Sequence, residues 1–491
     1  MLPALPSLRF DNRTDLDALH FDTLDQNGVG FHVIVAKTSY ALEASDDGQH
    51  AVLRPLDDPG PLHTEDRYHD DDATQSVRIE SDLAPFKPLC DVVVIGAAHA
   101  PGGKPARRFS ASLHVQAADR PAPLPPRPAS LNPMQSLSQH ALEEWQTELA
   151  TARATTLPGA VLIDKTLTVT GERILRRHMA PLRLFQSAIA LLTFGLVRCN
   201  PYRLTGPEPA AEVPLRYELA QGGQCRIEVG TTAAGRVPKR HRLTPEQQTA
   251  YPAATAPAAH DSDQRNPDGR GFAPRWYLRA ARLAQLPAPR IEYPEAAFSA
   301  SRFWRGARGK DALVPAGFGF VGRGSLPRRE RVGTFPTRTA WGADEVPQLP
   351  KDFDFRYWNG AADDQQCAYL QGDERFTLTN LCPPTTAGAT RDEHGNTVVR
   401  FALPRQALFL LAADDNGSVA AMPLEIDTVV IDTDAGVVDI VWRHCLVADG
   451  SFADARLMHA TTDEQLQRLH DWNAPADEPA SMETPATAHT D

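Results

Sequence analysis

The six cysteines of this 491-residue chain, at 90, 199, 225, 367, 382 and 445, form no C-x-x-C pair and no cysteine–histidine set at zinc-finger spacing. Neither a local zinc site nor a dithiol motif is written here, and reduced thiols in a cytoplasm are the expectation. Cys90 and Cys445 border or lie in apolar runs, as small buried hydrophobes do. Excess positive charge is also missing: 62 acidic residues against 50 basic ones give a net charge of -12. That balance disfavours a general grip on nucleic acid or anionic membrane. Long apolar runs are absent too, since the longest, Ala188 to Val197, is about half a membrane span. The start, MLPALPSLRF, has no basic stretch leading into a signal-like apolar core, so neither membrane embedding nor export by the general route is expected. Catalytic wording is equally scarce, with no H-E-x-x-H, no G-x-S-x-G and no Walker sequence. Pro101-Gly102-Gly103-Lys104 has a lysine but leads into a strand, so a phosphate would lack the helix N-terminus that makes such loops work.

What the chain does have is proline, 42 residues of it spread through the whole length. Proline removes donors from helix interiors and central strands, so this density favours short strands joined by many ordered turns. The fold class expected is mostly β: a large antiparallel architecture of sandwich or barrel-like sheets, with many Pro/Gly turns and a few short helices. The most strongly patterned stretch runs from Ser76 to Gln116. Val92-Val93-Val94-Ile95 is a β-branched run suited to a strand covered on both faces. Phe109, Ala111, Leu113 and Val115 alternate with Ser110, Ser112, His114 and Gln116, the period of a half-buried strand. The turn Pro101 to Pro105 between them predicts a hairpin, and Ala84-Pro85-Phe86-Lys87-Pro88 ends the preceding strand near Leu83.

Elsewhere, an opening strand is expected from Phe31 to Leu42 after a turn at Asp25 to Gly28. Leu142, Trp145 and Leu149 stand at helical spacing within Gln139 to Arg153, and Val161 to Arg173 resumes alternation with a bulge. Leu182 to Val197 reads as a buried helix or strand. The stretch 245–262, rich in alanine and proline, reads as a mobile connection. Closing strands are expected over Leu403 to Leu411 and Glu425 to Cys445, the latter turning at Asp434-Ala435-Gly436. Phe452 to Trp472 is expected to hold a terminal helix, and 473–491 a disordered tail. Residues 1–472 then make a single domain, or two tightly packed β-rich subdomains divided near 245–262.

ESDLAPFKP followed by DVVVIGAAHAPGGKP resembles DUF2169, a bacterial family of unknown function whose members accompany type VI secretion clusters. Further stretches extend the likeness in order: VIVAKTSYAL; Tyr217, Glu218, Gly222 and Gly223; Asn266 to Phe272; Leu286 to Glu292; Pro315 to Phe320; and Leu349 to Gly360. The resemblance implies an adaptor, or chaperone, that binds an effector and helps load it onto the PAAR/VgrG spike without catalysis. Its partners would be an effector carrying a PAAR-type spike-tip domain, the VgrG spike, or both, with no nucleic acid and no membrane; no cofactor or metal is expected. The motif residues it singles out, as structural or partner-binding positions, are Glu80, Asp82, Pro85, Phe86, Lys87, His99, Gly102, Gly103, Lys104, Gly269, Gly271, Gly317, Asp352, Asp354 and Asn359. Segments 117–153 and 245–262 depart from the family's wording, and client choice is expected there.

Two rival readings rest on residues alone. On a strand, Asp352 and Asp354 would share a face about 6 to 7 Å apart, within the range used by two-carboxylate glycoside hydrolysis, with Asp363 and Asp364 nearby. Trp341, Tyr357 and Trp358 would suit a sugar-binding module as stacking platforms. A cation at the acidic loop Glu65 to Asp72, or at Asp261, Asp263 and Asp268, is disfavoured; in the latter Arg265 takes the place of a third acid.

Overall fold

The computed structural model describes residues 5–126, 139–193, 200–253, 255–305, 312–334, 349–414, 416–462 and 464–465. Eight strands carry its two large sheets: β1 (Gly30–Ala44), β2 (Cys90–Ile95), β3 (Arg108–Gln116), β4 (Val161–Thr170), β5 (Arg375–Thr379), β6 (Thr397–Ala402), β7 (Glu425–Asp432) and β8 (Val437–Val447). The seven-stranded sheet runs Asp17–Leu24, β1, β8, β7, β2, Gln366–Cys367, with Ala51–Pro55 also paired to β1. The six-stranded sheet runs Ile291–Glu292, β4, β3, β5, β6, Thr390–Arg391. Neighbours in these sheets are antiparallel except β2 and β7, which run parallel. The expected β-rich class is what the chain adopts, and β1, the β7–β8 hairpin and the helix α1 (Gln139–Ala154) stand where periodicity put them.

Every residue of β2 is buried, as a β-branched run covered on both faces requires. Val93 and Ile95 pack with Val77, Phe320, Ala361 and Val430, and on the same sheet Val35 packs with Leu62 and Val441. In β3 the apolar phase is buried and the polar phase exposed or half-buried.

The hairpin expected between β2 and β3 does not form. Gly96, at φ 131, turns the chain out of β2 in a conformation side chains resist, and Ala97–His99 then pairs with Glu212–Pro214. Gly102 and Gly103, at φ 64 and 68, complete the reversal, and β3 enters the other sheet between β4 and β5. A local turn thus joins two sheets, because each strand found distant partners. Three further expectations change. Phe452 to Trp472 contains the strand Asp454–Ala460 rather than a helix at its start. The stretch 245–262 holds a helical turn, Pro245–Gln248, and the strand Pro257–Ser262, paired with Gln224–Glu228. Leu182 to Val197 is in part the helix α2 (Ala180–Leu192), whose apolar side is not buried. The tail 473–491 and Trp341 lie outside the described residues.

The chain divides into two compact units. The larger comprises Met1–Leu5, Leu16–Pro404 and Glu425–Ala448; the smaller comprises Pro6–Asp15, Arg405–Leu424 and Asp449–Asp491. Residues 245–262 lie inside the larger. In the smaller, Asp454–Ala460 runs parallel to Arg9–Asn12 and antiparallel to Ala407–Ala413, which pairs in turn with Val419–Pro423.

Candidate functional site

The motif residues Glu80, Asp82, Lys87 and Asn359 converge on the buried strand β2. Lys87, fully enclosed, donates to Asp91 Oδ2 at 2.9 Å and to Thr428 Oγ1 at 2.7 Å. Burial alone would lower its pKa, but the carboxylates of Asp91 and Asp427 outweigh that and hold it above the ordinary lysine value. Asp91 also accepts from Asn359 Nδ2 at 3.1 Å and from the backbone N–H groups of Gly360 and Ala361 at 2.8 and 3.2 Å. Asn359 reaches Leu89 O as well, so residues 359–361 are pinned along the start of β2. Glu80 pairs with the buried Arg328, whose guanidinium also donates to Val321 O and Tyr357 O. Asp82 accepts from the His63 N–H at 2.7 Å, and burial pushes its carboxyl up. Nearby, Arg443 bonds Asp427 and the carbonyls of Asp82 and Ala84, while the Cys445 thiol donates to Pro85 O. Arg443 Nη2 and Asn359 Oδ1 have no partner among the described residues, and the ions of the group are otherwise paired or hydrogen-bonded, which fixes their geometry.

The other motif residues are spread out. Phe86, partly exposed, sits edge-on to Phe355. His99 is buried with its Nδ1 3.8 Å from Glu212, and burial lowers its pKa. Lys104 is exposed just beyond the turn of Gly102 and Gly103. Gly269 and Gly271 lie where 269–271 packs against 220–223. Gly317 faces the buried Tyr217 so closely that an added Cβ would stand 2.8 Å from its ring. Asp352 and Asp354 do not share a strand face. Asp352 accepts from Thr334 N at 2.9 Å, and Asp354 caps the helical turn Phe355–Trp358 by accepting from Arg356 N. Asp363 pairs with Arg331 at 2.7 Å, and Asp364 with the Lys165 ammonium at 2.7 Å and the Tyr293 hydroxyl at 2.8 Å. Arg265 takes both oxygens of Asp263.

A cleft of about 550 Å³ lies over Asp363 and Asp364, lined also by Tyr217, Tyr293, Arg328 and Arg331. Beneath it, burial pulls Lys165 down to about 8 against the opposing pull of Asp364. Sequence reasoning missed Lys165, yet a signal existed: it occupies the apolar phase of β4, between Ile163 and Leu167, where a charge needs a buried partner.

The surfaces are more telling than the interior. The aromatic loop is packed down, with Phe353 buried against Phe355 and Tyr357, and Arg328 and Arg323 over the rings of Tyr357 and Trp358. In α1, Trp145 is held by its indole N–H on Pro125 O. Helix α2 differs. Pro181 at its start suits the first turn, and the straight-chain and branched apolar residues that follow favour helix. Gln186 and Ile189 are half-buried, with Gln186 bonded to Asn200 O. Leu182, Leu184, Phe185, Ala188, Leu191 and Leu192 are exposed, and at about 100° per residue they fall within one arc of about 180°. Leu184 and Leu191 are 72% and 80% exposed. An apolar stripe turned away from its own protein is the usual mark of an interaction surface.

A family model described as "Uncharacterized protein conserved in bacteria (DUF2169)" matches residues 27–123 and 137–443. No curated protein and no solved structure gives a match.

Proposed function

The chain belongs to the DUF2169 family, and from that premise we propose that it is a type VI secretion adaptor or chaperone, binding an effector and helping to load it onto the PAAR/VgrG spike by protein contact alone. The observation that supports a docking role is the outward apolar stripe of α2: Leu184, Phe185, Leu191 and Leu192 present a ready face for the groove of a client. A loader holds its client yet releases it at the spike, which suits one short helix face better than a large interlocked interface. The net charge of -12 favours encounter with a basic client domain. Among the described residues no helix is long and apolar enough to cross a membrane, and the proposed place of loading is the cytoplasm.

The test is co-purification of the chain with an effector bearing a PAAR-type domain. Leu184→Asp combined with Leu191→Asp should weaken the complex by about 100-fold, the scale of central interface anchors, with the far-UV spectrum and melting temperature unchanged because both side chains already face water. Undiminished binding removes α2 from the interface. Asp352→Asn with Asp354→Asn should leave binding intact; glycan turnover abolished by that pair would replace the adaptor reading with a hydrolase.

A further inference from the structure

The antiparallel pairing of Asp17–Leu24 with β1 sets Asp22 directly opposite His32 and places His20 two residues along on the same face. Three ligand-type atoms meet there. His32 Nδ1 is 2.7 Å from Asp22 Oδ1, His20 Nε2 is 3.2 Å from the same oxygen, and the two imidazole nitrogens are 3.3 Å apart. Among the described residues this is the one group of three histidine, cysteine or carboxylate side chains whose donor atoms converge so closely.

In the metal-free protein one imidazole N–H shared between the Asp22 carboxylate and the lone pair of the other ring can join these atoms, and a cation at the centre would take the place of that proton. A triangle with these sides has a circumradius of about 1.8 Å, so an ion about 1.1 Å above its plane lies about 2.1 Å from all three atoms, the bond length of zinc to nitrogen and carboxylate oxygen. Three ligands on one side leave further positions open, the arrangement of a two-histidine, one-carboxylate facial set. His32 is buried and Asp22 half exposed, so the ion would be anchored on the sheet side and reached from the Asp22 side.

We propose that His20, Asp22 and His32 form a binding site for a divalent transition-metal ion of the zinc or cobalt type, clipping the edge strand Asp17–Leu24 to β1. His20 and Asp22 precede the family match, which begins at residue 27, and the site is independent of the docking reading.

The experiment uses the full, tag-free protein titrated with Co²⁺, followed by visible d–d absorption, with Zn²⁺ competition and a thermal-shift series alongside. Wild type should bind one equivalent and melt higher with Zn²⁺. His20→Ala and Asp22→Asn should each weaken binding by about 100-fold or more, given that even outer partners of metal ligands cost about 10–100-fold, and should abolish the Zn²⁺ shift. His394→Ala, at an exposed histidine beside Glu393, should behave as wild type. Both test positions are less buried than His32, and their metal-free melting temperatures report directly whether they fold; the wild-type titration stands without them. Absence of saturable Co²⁺ binding in wild type, equal binding in His20→Ala and Asp22→Asn, or a spectrum dominated by thiolate charge transfer would each overturn the proposal.

Discussion

Asp91 joins separate stretches of chain at one carboxylate: Lys87 before β2, residues 359–361, and β7 by way of the Lys87–Thr428 bond. Removing one partner of such a buried pair leaves an uncompensated charge, at about 3–5 kcal/mol. Asp91→Ala should therefore lower unfolding stability in urea by about that amount, and adding Lys87→Met should recover part of it, since the stranded ammonium goes while the N–H groups of 360 and 361 stay unpaired. A loss below about 1 kcal/mol would mean that water reaches the site. His63 makes a second residue-scale prediction. Its Nδ1 has no partner among the described residues, and burial, with Lys37 and Arg67 adding like charge and Asp439 opposing, lowers its pKa to about 4. Between 6.5 and about 4 the unfolded chain binds a proton that the folded one refuses, so stability drops as pH falls through that window. Asp82 acts with opposite sign, its raised pKa letting the folded state take up protons first. The informative quantity is consequently a difference: between pH 7 and pH 4.5, wild type should lose more stability in urea than His63→Gln, and equal losses would show that His63 is solvated.

At the scale of elements, period and turn chemistry made β1 to β4, β7 and β8 legible, because a face buried against a sheet forces alternation, and left β5 and β6 unread. What they left open was partnership. The glycine turn after β2 has every local property of a hairpin, yet β2 pairs in parallel with β7, more than three hundred residues away. Asp454–Ala460 is a strand rather than the start of a helix because it is paired on both sides, with Ala455 and Leu457 buried. Leu457→Asp should accordingly accelerate amide exchange across Ala407–Ala413 by at least about tenfold, because it puts an unpaired charge into the strand on which those amides depend. Unchanged protection would mean that the pairing contributes little. Helix α2 was legible as an apolar segment, but not as an exposed one: hydrophobicity tells that a face wants cover, not whether the cover belongs to the same chain.

Over the whole molecule, the sequence by itself determined the β-rich class, the turns, and the alternating and fully apolar phases, because these follow from backbone sterics and the period of two. The family resemblance also singled out Glu80, Asp82, Lys87 and Asn359 among its motif residues, without placing the asparagine beside the other three. Only the tertiary structure decided that those residues lock a scaffold, that the paired aspartates near 352 serve turns and caps, that the apolar stripe of α2 faces outward, and that His20, Asp22 and His32 meet across two strands. Each of these depends on which distant segments share a sheet or a cleft. Pairing energies are summed over the whole fold, and no local pattern carries that sum.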